Sequence, residues 1–142
     1  MLFRSAARAA LPQTLLHSDA VVAANRAAAL VQGLATGDGA LLGAALDDVL
    51  HVPFRRERIP GYDAVVAAAQ GAGAFGATLS GAGSAILAIA SRDRSAAVGA
   101  AMIAAWRSGG VEAELVRSAH PVPGATVSRL SHLSRPVSSE LS

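Results

Sequence analysis

The chain has 142 residues, 52% hydrophobic and 15% charged, which suits one domain with one sizeable core and is too apolar for a disordered chain. The pI of about 10.4 points towards nucleic acid, but the net charge is only +2; with no lysine, no cysteine and a single tyrosine, little titrates between the histidines and the arginines. Apart from Arg55, Arg56 and Arg58 the arginines are dispersed, which argues against a phosphate-backbone footprint, and no apolar run reaches the roughly 18–20 residues of a membrane span.

The absence of cysteine removes disulfides, thiolate nucleophiles and thiolate-held metals, and fits a reducing cytoplasm. Residues Met1–Leu16 carry Arg4 and Arg8 and no acid, as a transit peptide would, but Arg8, Pro12 and Gln13 break any secretory apolar stretch. Ser18-Asp19 then offers a capping serine and an acid for a helix start. Val22, Ala23, Arg26, Leu30 and Leu34 carry this helix to Gly37. After Gly37-Asp38-Gly39, a second helix follows from Leu41, Leu42, Ala45, Leu46 and Val49, and Pro53 is expected to end it.

The segment His51–Gly61, HVPFRRERIPG, reads as a proline-bounded charged loop, the kind of place where sites sit. Tyr62–Gln70 is a third helix, stopped at the glycines that follow. Phe75–Leu79 and Ala85–Ala90 read as strands flanking Ser80–Ser84, and Asp93 is expected to cap a fourth helix through Val98, Met102 and Trp106. Val111–Ser118 alternates apolar and polar residues as a half-buried strand does, and Ala125–Leu130 is the last expected strand. The order predicts an α+β fold, an antiparallel sheet of about four strands packed against helices, in one domain spanning residues 1–130. Residues 131–142 form a polar tail expected to be disordered.

Several residues invite chemistry. Arg55, Arg56 and Arg58 have a bland reading as a solvated charged loop. His51 has the residue type of a general base, but a structural role, its ring holding the Pro53–Arg55 turn, is the preferred reading. Asp48, one helical turn earlier, either orients that ring or faces water. Asn25 reads as a packing or hydrogen-bonding residue. The Ser80-Gly81-Ala82-Gly83 stretch is either a tight hairpin that needs positive φ or a loop offering N–H groups to an anion.

Three segments in this order form a larger pattern: Arg8-Ala9-Ala10-Leu11-Pro12 with Asp19-Ala20-Val21 and Asn25-Arg26-Ala27-Ala28; Asp48–Arg55 continuing to Ile59-Pro60-Gly61; and Gly76–Gly83. Together they resemble the C-terminal half of homoserine kinases, within the GHMP kinase superfamily, over roughly Arg8–Val127. The resemblance implies a GHMP kinase C-terminal domain and an ATP-dependent transfer of a phosphoryl group to the hydroxyl of homoserine, in cytoplasmic threonine biosynthesis. It implies substrate-binding roles for Arg8 and Arg55, whose planar forks suit a carboxylate, with His51 in the same pocket. It places Ser80, Gly81, Ala82 and Gly83 near the phosphate loop. ATP and Mg²⁺ would be held mainly by an N-terminal half, because nothing here matches a P-x-x-x-G-L-G-S-S loop; no catalytic residue or metal ligand is assigned to this chain.

The chain alone is therefore expected to be inactive, with that N-terminal domain as its partner and homodimer formation left open. On this view Met1–Arg4 stands where an internal strand of the longer enzyme lies, and is neither a targeting peptide nor a natural start. Two positions depart from the pattern: Arg4 replaces a common threonine, and Ser84 replaces a proline after SGAG. The competing readings are a stand-alone, non-catalytic amino-acid-binding module and a GHMP kinase acting on another small alcohol.

Overall fold

The computed structural model describes residues 2–118 and 124–127. Helix α1 spans Leu2–Ala9 and α2 spans His17–Thr36. The expected serine cap is not used: Leu16 is the N-cap, and the Ser18 hydroxyl lies inside the first turn, 3.5 Å from the Asp19 carboxylate. Once a serine is within the helix, its oxygen no longer faces the free N–H groups ahead of it. Asp38 supplies what Ser18 does not. Its carboxylate accepts from the N–H groups of Ala40 at 2.8 Å and Leu41 at 3.1 Å, and so opens α3, Gly39–Ala45. Asp38→Ala is expected to lower stability by about 1 kcal/mol, read from the urea midpoint; no change would show that water replaces the cap.

Helix α3 stops at Ala45, well before the proline expected to end it. The breaker is Asp48, whose Oδ1 accepts from Leu50 N–H at 2.6 Å and His51 N–H at 2.8 Å, a turn that competes with helix. Pro53 instead sits in the first turn of a short helix α4, Val52–Arg55, where its missing N–H costs nothing. A 3₁₀ turn, Arg56–Arg58, continues it. The segment expected to be a loop is thus largely helical.

Helix α5 covers Tyr62–Gly71, strand β1 Ala74–Leu79, strand β2 Ile86–Ala90 and helix α6 Ser95–Ser108. The two strands pair antiparallel, with Leu79 opposite Ile86 and Thr78 opposite Leu87, and one irregularity between Ala74 and Gly76. Arg94 and not Asp93 is the N-cap of α6; the exposed Asp93 carboxyl is held below its ordinary pKa chiefly by a hydrogen bond from Ser91.

Helices α5 and α6 pack on each other and on the hairpin. Their core comprises Ile59, Tyr62, Val65, Ala69, Ala77, Leu79, Val98, Met102 and Trp106. Helix α3 lies against β1, and α2 packs on α3 with Gly33 its one buried residue. No helix among the described residues is long and apolar enough to cross a membrane.

Two strands form among the described residues, not about four. In the Val111–Ser118 segment the alternation is real at the start, since Val111 and Ala113 pack against the core while Glu112 and Glu114 face outward. It has no ladder partner, and side-chain alternation without a paired edge does not make a strand. Residues 124–127 likewise carry no strand, while residues 128–130 of the last expected strand and the 131–142 tail lie outside the described residues.

Candidate functional site

The α4–3₁₀ segment presents its three arginines to three different surroundings. Arg55 is buried to 8% exposure. Its Nε–H donates to the Ala7 carbonyl at 3.0 Å and its Nη1 to the Gly81 carbonyl at 3.3 Å. One guanidinium therefore ties the last turn of α1 to the SGAG hairpin. Arg56 turns the other way, with Nη1 3.8 Å from an Asp63 carboxylate oxygen. Arg58, exposed, lines a cleft of about 180 Å³ together with Ala6, Ala7, Arg55, Ile59 and Ala82. Among the described residues no carboxylate lines that cleft.

The hairpin forms the far wall. Ser80 N–H donates to Ala85 C=O at 2.9 Å and Gly83 N–H to Ser80 C=O at 3.2 Å. Gly83 has φ +86°, and a Cβ there would come within 2.8 Å of Ile59 Cδ1. The SGAG turn and the IPG corner therefore pack on each other, with Gly83 leaving room for the Ile59 side chain. Ala82 reaches the cleft, and Gly81 contributes the carbonyl that Arg55 holds.

His51 is half-exposed, and its Nδ1–H donates to Asp48 Oδ2 at 3.1 Å. The ring is thus oriented by Asp48; it does not brace the Pro53–Arg55 turn, which closes through the backbone from Phe54 N–H to His51 C=O at 3.2 Å. His51 is not part of the cleft lining, and neither is Arg8, which is exposed on the last turn of α1 beside the anchored Ala7. Asn25 is exposed on α2, where Arg26 makes a two-pronged contact with Asp47 through its carboxylate and backbone carbonyl.

A second, more polar hollow of about 260 Å³ lies across the segment, lined among others by Asp47, Asp48, Arg56, Tyr62, Asp63 and Gln70. Tyr62 is pushed up from its ordinary pKa, first by burial, with Thr78 offsetting part of the rise, so its hydroxyl stays neutral there.

Arg58, Ala6 and Ala7 were not singled out in the sequence as site residues. The usable signal was the three-residue step from Arg55 to Arg58, which puts both on one face only if the segment is helical. Among the described residues no cluster of three or more metal-ligating side chains occurs. The cleft lining offers two guanidinium groups, four apolar side chains and backbone. It is suited to a small anion with an aliphatic body, and not to Mg²⁺, which takes oxygen ligands.

Residues 28–108 match the model of the family described as GHMP kinases C terminal. The chain is 46% identical over 125 residues to the homoserine kinase of Trichormus variabilis, which covers 88% of this chain and 41% of that protein. It is 50% identical over 105 residues to the homoserine kinase of Gloeobacter violaceus, covering 74% and 35%. The crystal structure of homoserine kinase from Cytophaga hutchinsonii superposes with a TM-score of 0.69 at 35% identity, over 73% of this chain and 33% of that one. The chain thus spans about two fifths, or less, of the length of the curated relatives it matches.

Proposed function

This chain belongs to the GHMP kinase family through its C-terminal domain, and from that premise we propose that it is the substrate-gripping part of a homoserine kinase, the enzyme transferring the γ-phosphoryl group of ATP to the homoserine hydroxyl. The observation that carries the reading is the cleft between α1, the Arg55–Ile59 turn and the SGAG hairpin, where guanidinium groups meet apolar walls and, among the described residues, no carboxylate. Homoserine is a small amino acid whose carboxylate must be held while its hydroxyl is aimed at phosphorus. Positioning and charge neutralisation are the main contributions a protein makes to such a transfer.

On this reading Arg55 grips the carboxylate with the N–H groups it does not donate to Ala7 and Gly81, and Arg8 reaches the substrate from the end of α1. Asp48 fixes the orientation of the His51 ring, which stands outside the cleft lining. Ser80–Gly83 face the reacting phosphate. ATP and Mg²⁺ are assigned to the part of the relatives that this chain does not span, and no step of the transfer is routed through the residues described here. The exposed Leu16, capping α2, and the exposed Val31 and Leu34 on it give that part of the enzyme an apolar surface to dock on. Threonine biosynthesis in the cytoplasm is the proposed setting.

The test is a chimera in which this chain replaces the matching segment of the Trichormus variabilis enzyme. ATP-dependent phosphorylation of L-homoserine by the chimera, with no ADP release by the 142-residue chain alone, is the expected result. A folded chimera that ignores homoserine and accepts another small alcohol would move the substrate assignment. Turnover by the chain alone would overturn the division of labour.

A further inference from the structure

We propose that Arg58 is a specificity residue of the cleft, holding the carboxylate of the small substrate together with Arg55; this rests on the reading of the cleft given above. The two residues are three apart in a continuous helical turn, α4 into 3₁₀, so their side chains leave the backbone on the same side. Arg56, one step round the helix, is paired with Asp63 and lies on the other hollow. Among the described residues the Arg58 side chain has no hydrogen bond or ion pair, although it lines the same cleft as the buried Arg55.

Two cations at one cleft without a lining carboxylate repel each other, and an anion between them converts that repulsion into two attractions. The division of labour follows from exposure. Arg55 is already anchored by two carbonyls and offers a fixed set of donors. Arg58 is exposed and uncommitted, and closes on the ligand from the open side.

Volume decides which anion. About 180 Å³ falls below the roughly 300–1,000 Å³ of pockets that take drug-sized ligands, so the cleft suits one short organic acid and not a nucleotide. The Ala6, Ala7, Ile59 and Ala82 walls favour a ligand with a few methylenes behind its carboxylate, which inorganic phosphate lacks.

The test titrates three probes into the 142-residue chain and into its Arg58→Met and Arg58→Lys variants by calorimetry: L-homoserine, the amino alcohol lacking its carboxylate, and inorganic phosphate. Arg58→Met should weaken homoserine about tenfold or more, the size of one charge-assisted contact. Arg58→Lys should recover part of the loss, the amino alcohol should bind all three chains alike, and the urea midpoint should not move. Equal homoserine affinity in wild type and Arg58→Met overturns the proposal. So does an Arg58-dependent phosphate signal that exceeds the homoserine one, or the absence of homoserine binding to the wild-type chain. The homoserine kinase reading is judged separately, by turnover of the chimera with Arg58 intact.

Discussion

Arg55→Ala should destabilise the chain by about 2 kcal/mol and, in the chimera, reduce kcat/KM for homoserine by on the order of a hundredfold or more. The stability loss comes from two places at once. Hydrogen bonds to a charged group contribute roughly 1.5–3 kcal/mol each, and Arg55 makes two, to Ala7 and Gly81. Against them stands the cost of keeping a guanidinium at 8% exposure, which the substitution removes. The bonds win because deleting the donor strands both carbonyls in a partly buried place and frees α1 from the hairpin. The control is Arg55→Lys, which retains the charge but cannot fork between two carbonyls and should fall in between. Urea unfolding followed by circular dichroism measures the first effect, and initial rates with varied homoserine measure the second. An unchanged midpoint with a large kinetic loss would make Arg55 purely a substrate ligand, and the reverse would make it purely a strut.

A second large effect should come from a single methyl group at the α3–β1 crossing. A Cβ on Gly43 would lie 2.7 Å from the carbonyl oxygen of Phe75, the bulged residue between the paired Ala74 and Gly76, whose neighbours on either side restrict how far it yields. Replacing a helical glycine by alanine is ordinarily stabilising by about 1 kcal/mol. Here overpacking, typically 1–3 kcal/mol, acts in opposition and should prevail. Gly43→Ala is therefore expected to lower stability by about 1–2 kcal/mol, and Gly43→Val by more. Gly71, the last residue of α5, is the counterweight: a Cβ there meets nothing within 4 Å. Gly71→Ala should leave the midpoint unchanged or raise it slightly. Equal responses at the two sites would show that α3 does not press on β1 as described.

The helices were largely legible from spacing, because an apolar face recurring every three or four residues needs no knowledge of its partner. That is why Tyr62–Gly71 and the α6 stretch through Val98, Met102 and Trp106 emerged nearly as expected. Their ends were less legible. Ser18, Pro53 and Asp93 were reasonable signals, yet the actual caps are Leu16, Leu46 and Arg94. A cap depends on where a side-chain oxygen points, and one residue of shift decides it. The hairpin was readable because its innermost partners, Leu79 and Ile86, are close in sequence across a glycine turn. The strands expected after α6 were not, because alternation at Val111 and Ala113 reports a buried side and says nothing of a neighbouring edge.

By itself the sequence determined the family, through the HVPFR…IPG and SGAG segments, and with it the class of chemistry to look for. It also determined that Arg55 is the arginine set in that motif. What only the tertiary structure decided is how the three neighbouring arginines divide. Arg55 is tied to Ala7, 48 residues away, and to Gly81, 26 away; Arg56 faces Asp63; Arg58 is left at the cleft. The reason is physical. Residue type and spacing are properties of the chain, whereas burial and partner choice arise when distant segments close on one another, and identical side chains acquire different work from what they meet there.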